Sequence, residues 1–302
     1  MAEDKIKLSI IILSWNTKQL LKDCLDSIVH SSLFNIPIEV IVVDNGSADG
    51  SVEMIKKLFI NKLKNYKIRL IENKENLGFA KGNNQGLKES QGEYIMLLNS
   101  DTVVKREAIE RLVDFLDEHS AVAIVGPKLL NPDGSPQANC GRFPDLPVAV
   151  VMLFGEHWGG SDFVRCSPDK SRFVDWLMGA ALVARRQVFN QIGGLDEALF
   201  MYMEEVEWFY RAKKAGFKSY FLKEAEIIHL GRGSAKTGKK EPILNIYRGL
   251  IHYYRKHRSK PELIMLVMML KLKAFLSLII GLAKNDNYLK ETYEKALKIN
   301  WR

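Results

Sequence analysis

From residue 8 onward, apolar runs of strand length alternate with apolar residues at helical spacing. "LSIIILS" (8–14) is a β-branched run, after which Leu20, Leu21, Cys24, Leu25, Ile28 and Val29 recur along one side of a helix. "IEVIVVD" (38–44) reads as a buried strand, and the "DNGSADGS" that ends it offers Asp49 or Ser51 as the N-cap of a second helix. Further strands are predicted at 67–72, 93–99 and 121–127. The stretch "GFAKGNNQGLKES" predicts a glycine-interrupted helix, and "REAIERLVDFLDEH" (106–119) a clearly amphipathic one. Near-continuous apolar strands separated by helices imply a mainly parallel sheet covered on both faces.

Beyond residue 130 the pattern changes. "LLNPDGSPQ" predicts a turn or hairpin, and 172–186 is a longer apolar stretch broken by glycine. Residues 204–216 predict a helix closed by Gly216, followed by two short strands, "KSYFL" and "AEIIH". From about residue 241 the tail reads as helical.

Three of the predicted strands end in polar groups: Ser14-Trp15-Asn16, Asp44-Asn45-Gly46 and Asn99-Ser100-Asp101. Each alone is ordinary turn chemistry. Together they would line one edge of a parallel sheet, where open α/β folds bind nucleotides. Neither a P-loop nor a G-x-G-x-x-G follows the first strand, which argues against ATPase and dinucleotide sites. Asp101 is a hard oxygen donor of the kind that holds Mg²⁺ or Mn²⁺ against diphosphate. His229 ends "AEIIH" and enters a glycine-rich basic segment containing Arg232, Lys236, Lys239 and Lys240, a phosphate-clasping composition. Glu204, Glu205 and Glu207 open a helix among aromatic and methionine side chains, so one of them could be a general base of raised pKa. Acids also favour helix N-termini, and Glu207–Arg211 is an i,i+4 pair; spacing alone does not choose between these roles.

These segments, taken in order, resemble family 2 glycosyltransferases of the GT-A fold, and especially their bacterial rhamnosyltransferase-like branch. The matching pieces are "SIIILSWN", "VIVVDNGSADGS", "ENLGFAKGNNQG", "YIMLLNSDT", the run from "WLMGAALVARR" to "YRAKKAGF", and "AEIIHLGRGS", covering roughly residues 7–240. The resemblance implies an α/β GT-A domain over 1–240, Rossmann-like, its mainly parallel sheet flanked by helices, with a helical tail over 241–302. It implies an inverting enzyme moving a sugar, rhamnose by branch, from a thymidine or uridine diphosphate donor to a hydroxyl of a glycan or lipid-linked acceptor. It assigns Asp44, with the Ser14, Trp15 and Asn16 edge, to base and ribose. Asn76, Gly78, Asn83 and Asn84 fall along the nucleotide and sugar, together with Asn99, Ser100 and Arg232. Asp101 becomes a ligand of a divalent metal (Mn²⁺ or Mg²⁺), with His229 as a second ligand. Glu205 becomes the catalytic base, with Glu204 beside it. The sequence departs from the family in three places: glutamates stand at 205 and 207 where aspartate is common, the metal motif keeps only its last Asp, and Arg232 replaces a frequent glycine. The competing readings are a non-catalytic nucleotide-sugar or carbohydrate binder on the same fold and a sugar-nucleotide pyrophosphorylase. The latter would usually carry a basic glycine-rich loop where this chain has "SWNTKQ".

Composition adds two constraints. The three cysteines, Cys24, Cys140 and Cys166, lie far apart in sequence without a CxxC pair, so neither a zinc site nor a disulfide framework is expected, and Cys24 reads as core. The net charge of +8 is unevenly spread: residues 211–302 hold 21 basic and 7 acidic side chains, the first 210 hold 23 and 29. A basic C-terminal third without a nucleic-acid motif fits phosphates or an anionic membrane better than nucleic acid. Acidic residues precede the first apolar run, unlike a signal peptide, so a cytoplasmic protein is expected, peripheral at the inner face of the cell membrane. "ELIMLVMMLKLKAFLSLIIGLAK" (262–284) has nearly the length of a membrane span, but Lys271 and Lys273 divide it. Membrane-surface docking is the expectation for this tail, with a buried helix pair or a homodimer interface close behind.

Overall fold

The structure is a computed structural model that describes residues 5–31, 36–60, 67–155, 161–231 and 240–300. A large mixed sheet forms its centre. Strands β1 (Leu8–Ser14), β2 (Ile38–Asp44), β3 (Lys67–Glu72) and β4 (Tyr94–Asn99) pair in parallel in the order β3-β2-β1-β4. The order continues through β12 (Ala181–Arg185), β6 (Ile124–Leu130), β13 (Ser219–His229) and β10 (Arg172–Val174). In this half only β6 and β13 are parallel; β12 runs against both its neighbours.

The apolar runs of β1 and β2 are continuous because both faces are covered. Ile10 and Ile12 point to one core, shared with helices α1 (Lys18–Ser31), α2 (Ser51–Leu58) and α4 (Ala108–Glu118). Ile11 points to the other, with α3 (Phe79–Glu89), α7 (Arg186–Ile192) and α8 (Glu204–Lys214). Truncating Ile11 to alanine in such a site would cost about 2–5 kcal/mol.

Most predicted elements stand within a few residues of their expected ends, and the differences have local causes. The strand expected at 121–127 begins at Ile124 and extends to Leu130, where it folds back on β7 (Pro136–Gln137) as a hairpin. The two short strands expected near 220 and 227 are one strand, β13, with a bulge between Leu222 and Glu226. Helix α2 begins after Gly50, and the Asp49 carboxylate accepts from the Ser51 N–H (3.1 Å). Gly216 adopts φ 88°, and Phe217 N–H reaches back to Ala212 O (3.0 Å), closing α8 as a Schellman turn.

A small three-stranded sheet brings β8 (Cys140–Gly141) against β9 (Arg165–Cys166) and β11 (Trp176–Leu177). It seats Cys140 directly opposite Cys166 with 3.9 Å between the sulfurs, a proximity that 25 intervening positions concealed. Cys24 is fully buried core, as its helical spacing predicted.

Three helices follow the sheet. In α9 (Lys240–His257), Tyr247, Leu250, Ile251, Tyr253 and Tyr254 belong to the same core as α8, so this helix is an integral part of the packing. Next come α10 (Lys260–Ala283) and α11 (Asn287–Leu297). Ser259 and Glu262 form a reciprocal capping box at the start of α10. Among the described residues, α10 is the helix long and apolar enough to cross a membrane by length and composition.

Candidate active site

Parallel register brings the polar strand ends together. Ser14 pairs with Asp44, and Leu13 with Asn99, so all three strands finish at one level. Beyond them lies a cavity of about 280 Å³ lined by Trp15, Asn76, Gly78, Asn99, Ser100, Asp101, Glu204, Glu205 and His229, among others. Residues that were more than 200 positions apart in sequence therefore share one space.

A chain of hydroxyls reaches the cavity from the end of β1, with Thr17 and Ser100 lining it and Ser14 buried behind them. Ser14 Oγ and Thr17 Oγ1 lie 2.9 Å apart, and Thr17 Oγ1 and Ser100 Oγ lie 3.1 Å apart. Asn16, in the left-handed region at φ 53°, ties the β1 end to the β2 end: its N–H donates to Ser47 Oγ and its Oδ1 accepts from Ala48 N–H, both at 2.8 Å. Asp44 is buried; Oδ1 accepts from Ser47 N–H (2.8 Å), while Oδ2 has no hydrogen-bond partner. A buried carboxylate oxygen without a partner is costly unless a ligand supplies a donor. Asp44 does not itself line the cavity but lies at its edge, one residue before Asn45, which does.

On the neighbouring wall, Asn45 Nδ2 donates to Asn76 Oδ1 (3.2 Å) and to Gly78 O (3.1 Å), and Gly78 N–H donates to Asn76 Oδ1 (2.9 Å). Gly78 has φ 84°, and a Cβ there would stand 2.5 Å from Phe200 O, so only glycine fits. Asn83 and Asn84, expected along the nucleotide and sugar, make contacts within the protein. Asn83 Nδ2 donates to Phe79 O within its own helix. Asn84 clamps the loop before α8, donating to Leu195 O (2.8 Å) and Glu197 Oε1 (3.0 Å) and accepting from Leu195 N–H (2.9 Å). Neither is among the residues that line the cavity. Arg232 lies outside the described residues, as do Lys236 and Lys239.

Asp101 and His229 meet through the sheet. Strand β5 (Thr102–Val104) runs antiparallel to the end of β13, pairing Thr102 with His229, and Leu230 N–H donates to Asp101 O (2.9 Å). The His229 Nε2 lies 3.3 Å from Asp101 Oδ1. Its Nδ1 faces Gln137 Oε1 at 2.7 Å, and a carboxamide oxygen can only accept, so Nδ1 carries the proton. With Nδ1 so engaged, Nε2 is the ring nitrogen that faces the Asp101 carboxylate. Among the described residues, no group of three or more His, Cys, Asp or Glu could hold a metal by itself. An oxygen and an imidazole donor side by side nevertheless suit a divalent ion that takes its other ligands from a diphosphate.

Opposite them stands the N-terminus of α8. Tyr202 and Met203, just before it, both adopt left-handed backbone (φ 70° and 73°). Such conformations cost about 1–3 kcal/mol each and mark functional turns. The turn is held from α9: a Cβ on Gly249 would lie 2.7 Å from Met203 Cβ and 3.1 Å from Tyr202 O. Burial, and then the charge of Glu205, raises the Glu204 carboxyl well above its usual range. Burial also raises Glu205, although the backbone N–H groups of Glu205, Gly179 and Val206 and the Arg165 charge pull it back. Each has one oxygen, Oε2, without a hydrogen-bond partner. Glu207 points elsewhere. Burial alone would raise it, but Lys256, Arg211 and His257 outweigh that and hold it low. Glu207 is therefore an ion-pair residue that does not line the cavity. Sequence reasoning did not single out Thr17, Arg165, Met178, Gly179 or Tyr202 as site residues; only the cavity gathers them.

Comparison with known proteins agrees with this geometry. The family model "Glycosyl transferase family 2" matches residues 9–143. The N-acetylglucosaminyl-diphospho-decaprenol L-rhamnosyltransferase of Mycobacterium tuberculosis is 29% identical over 211 residues, 64% of this chain and 66% of that protein. The low-salt glycan biosynthesis hexosyltransferase Agl10 of Haloferax volcanii is 27% identical over 231 residues, 74% of this chain and 66% of that protein. The matches thus span just under two thirds of these relatives' length. Among solved structures, Staphylococcus aureus TarS 1-349 in complex with UDP-GlcNAc superposes with a TM-score of 0.60 at 19% identity, covering 97% of this chain and 80% of that one. The mannosyltransferase PcManGT from Pyrobaculum calidifontis, in complex with GDP-Man and Mn²⁺, gives 0.57 at 16%, covering 99% and 76%. The segment that matches the family model, just under half of the chain, carries the strand-end cleft, and the fold around it is that of the GT-A glycosyltransferases.

Proposed function

We propose that the protein is an inverting glycosyltransferase that moves a sugar from a nucleoside diphosphate donor to an acceptor hydroxyl. One observation carries the reading: an Asp101–His229 donor pair and a raised carboxylate pair, Glu204–Glu205, share one cleft at the strand ends. The buried Asp44 Oδ2 is suited to accept from a pyrimidine N–H, which fits uridine or thymidine. Asp101 and His229 would hold Mn²⁺ or Mg²⁺. When bound, the ion neutralises charge developing on the departing diphosphate.

Glu205 takes the proton of the acceptor hydroxyl while that oxygen attacks the anomeric carbon from the side opposite the diphosphate. The carbon–oxygen bond to the diphosphate breaks as the new one forms, so configuration inverts. A raised pKa makes Glu205 a stronger base than an ordinary glutamate. Burial and the Glu205 charge favour the protonated form of Glu204, which would spare Glu205 a like charge at close range. Rhamnose as donor sugar and a lipid-linked glycan as acceptor follow the Mycobacterium tuberculosis relative named above. The site of action would then be the inner face of the cell membrane.

The test is release of diphosphate from purified protein incubated with thymidine and uridine diphosphate sugars, with Mn²⁺, with Mg²⁺ and with chelator. Turnover is expected only with a metal, and Asp101→Ala is expected to abolish it while the protein stays folded. Donor binding without turnover under any condition would instead support a non-catalytic binder. Turnover in chelator would remove the metal role.

A further inference from the structure

Helix α10 presents two apolar faces of different fate. Leu266, Leu270, Ala274, Ser277 and Gly281 are buried, one stripe at helical spacing. They face α11, α9 and α5 (Leu146–Phe154). On the opposite side Ile264, Met265, Met268, Leu272, Phe275 and Ile279 are each between 45% and 59% exposed. Together they form a continuous apolar strip on a helix about 36 Å long.

Charge identifies the occupant of that strip. No acid occurs between residues 263 and 283; Lys271 and Lys273 are the charged residues there. At about 100° per residue they stand on either side of Leu272, one along each edge of the strip. Lys271 is exposed; Lys273 is half-buried, its Nζ 6.0 Å from the Phe154 ring centroid. A second copy laid face to face would set lysine edges against lysine edges, and like charges facing one another repel. Anionic headgroups complement both edges, while lysine stems reach along the apolar surface and acyl chains cover the strip. The strip also lies in the basic third of the chain, where 21 basic residues face 7 acidic ones.

A transmembrane course is opposed by α11. The two helices pack so closely that a Cβ on Gly281 would lie 2.8 Å from Leu289 Cβ. Helix α11 carries Lys290, Glu291, Glu294 and Lys295, and a spanning α10 would draw them into the hydrocarbon.

We propose that α10 docks in the plane of an anionic lipid bilayer, apolar strip inward and Lys271 and Lys273 at headgroup level. Its use, bringing the cleft to a lipid-linked acceptor, rests on the function proposed above. The surface itself does not.

The experiment is flotation of the full chain with vesicles of phosphatidylcholine alone and of phosphatidylcholine with phosphatidylglycerol. Binding is expected to the anionic vesicles and to weaken with salt. Lys271→Ala is expected to lower affinity about fivefold, at about 1 kcal/mol per surface lysine. The double variant Leu272→Glu, Phe275→Glu is expected to lower it by at least about tenfold. Both positions are exposed, so its thermal unfolding midpoint is expected to match the parent. Unchanged flotation of the double variant, equal binding to neutral and anionic vesicles, or a dimer that never floats would overturn the proposal. Diphosphate release from soluble donor, measured on the same samples, keeps the two readings apart. A chain that floats without turnover keeps the surface and refutes the function; turnover without flotation does the reverse.

Discussion

Helix α8 places Glu204, Glu205 and Glu207 within four residues, yet its cavity side and its far side treat carboxylates in opposite ways. On the cavity side Glu204 and Glu205 are held above their ordinary range by burial, each with one unpartnered oxygen. On the far side Glu207 is fully buried, but Arg211 Nε reaches both its oxygens (3.0 and 2.9 Å), and Lys256 Nζ and His257 Nε2 each lie 2.9 Å from Oε1. Lys256 also meets Asp196 at 2.6 Å. Three identical side chains thus divide by partner. Those left unpaired can exchange a proton at the cleft; the paired one fastens α8 to α9. Burial raises a carboxyl where the cations beside it do not outweigh the lost solvation.

The comparison breaks most sharply at Glu205. Glu205→Gln keeps size and removes basicity, so turnover is expected to fall about 10²–10⁴-fold with donor binding and melting temperature kept. If Glu204→Gln is the dead variant and Glu205→Gln is not, the base lies one position earlier. Glu207→Gln should do the reverse. It leaves Lys256, Arg211 and His257 without their counter-charge, and breaking a buried pair costs about 3–5 kcal/mol. A lowered denaturation midpoint with near-parent turnover in the folded fraction is expected; a lost turnover at unchanged stability would refute the structural role.

Gly249→Ala probes the link between the two sides. Alanine favours a helix interior by about 1 kcal/mol. Here, however, its Cβ would press Met203 Cβ at 2.7 Å and shift the turn that aims Glu204 and Glu205. Turnover is expected to drop by about tenfold or more, since a 1 Å misplacement can cost about 10². Equal or higher turnover would show that the turn tolerates movement.

The smallest effect is on pH dependence. Glu204 has a folded pKa above its unfolded value near 4.5, so its contribution to stability is complete below that value and is lost as pH rises through the raised one. Glu207 is lowered, so its contribution is present above its unfolded value and is lost as pH falls through the folded one. Melting temperatures measured across pH, relative to the parent, should therefore slope in opposite directions for Glu204→Gln and Glu207→Gln. Parallel curves would contradict the division of α8 into two sides.

The parts of the molecule that could be read from sequence are those in which a side chain and its cause are neighbours. Strand β1 is announced by its own run of isoleucines, and the end of α8 by Gly216, because burial on both faces and a left-handed C′ residue leave local signatures. The polar ends of β1, β2 and β4 were readable for the same reason. Their assembly into one rim needed only the parallel register that βαβ alternation implies. Asn84 shows the limit. Its position in a motif suggested the donor, yet both its donor and acceptor groups are taken by Leu195 and Glu197, which no local pattern reveals.

By itself, then, the sequence determined the elements, the family resemblance and the residue types at the strand ends, since each depends on short-range spacing and backbone chemistry. The tertiary structure alone decided three things. Antiparallel pairing of β5 with β13 set His229 beside Asp101 across 127 intervening positions. Cations from α9 separated Glu207 from Glu204 and Glu205. Packing against α11 chose which face of α10 to bury. That helix is apolar almost all round, so its periodicity could not say which side faces the protein; only the contacts that bury Leu266, Leu270 and Ala274 turn Lys271 and Lys273 into the two edges of an exposed strip.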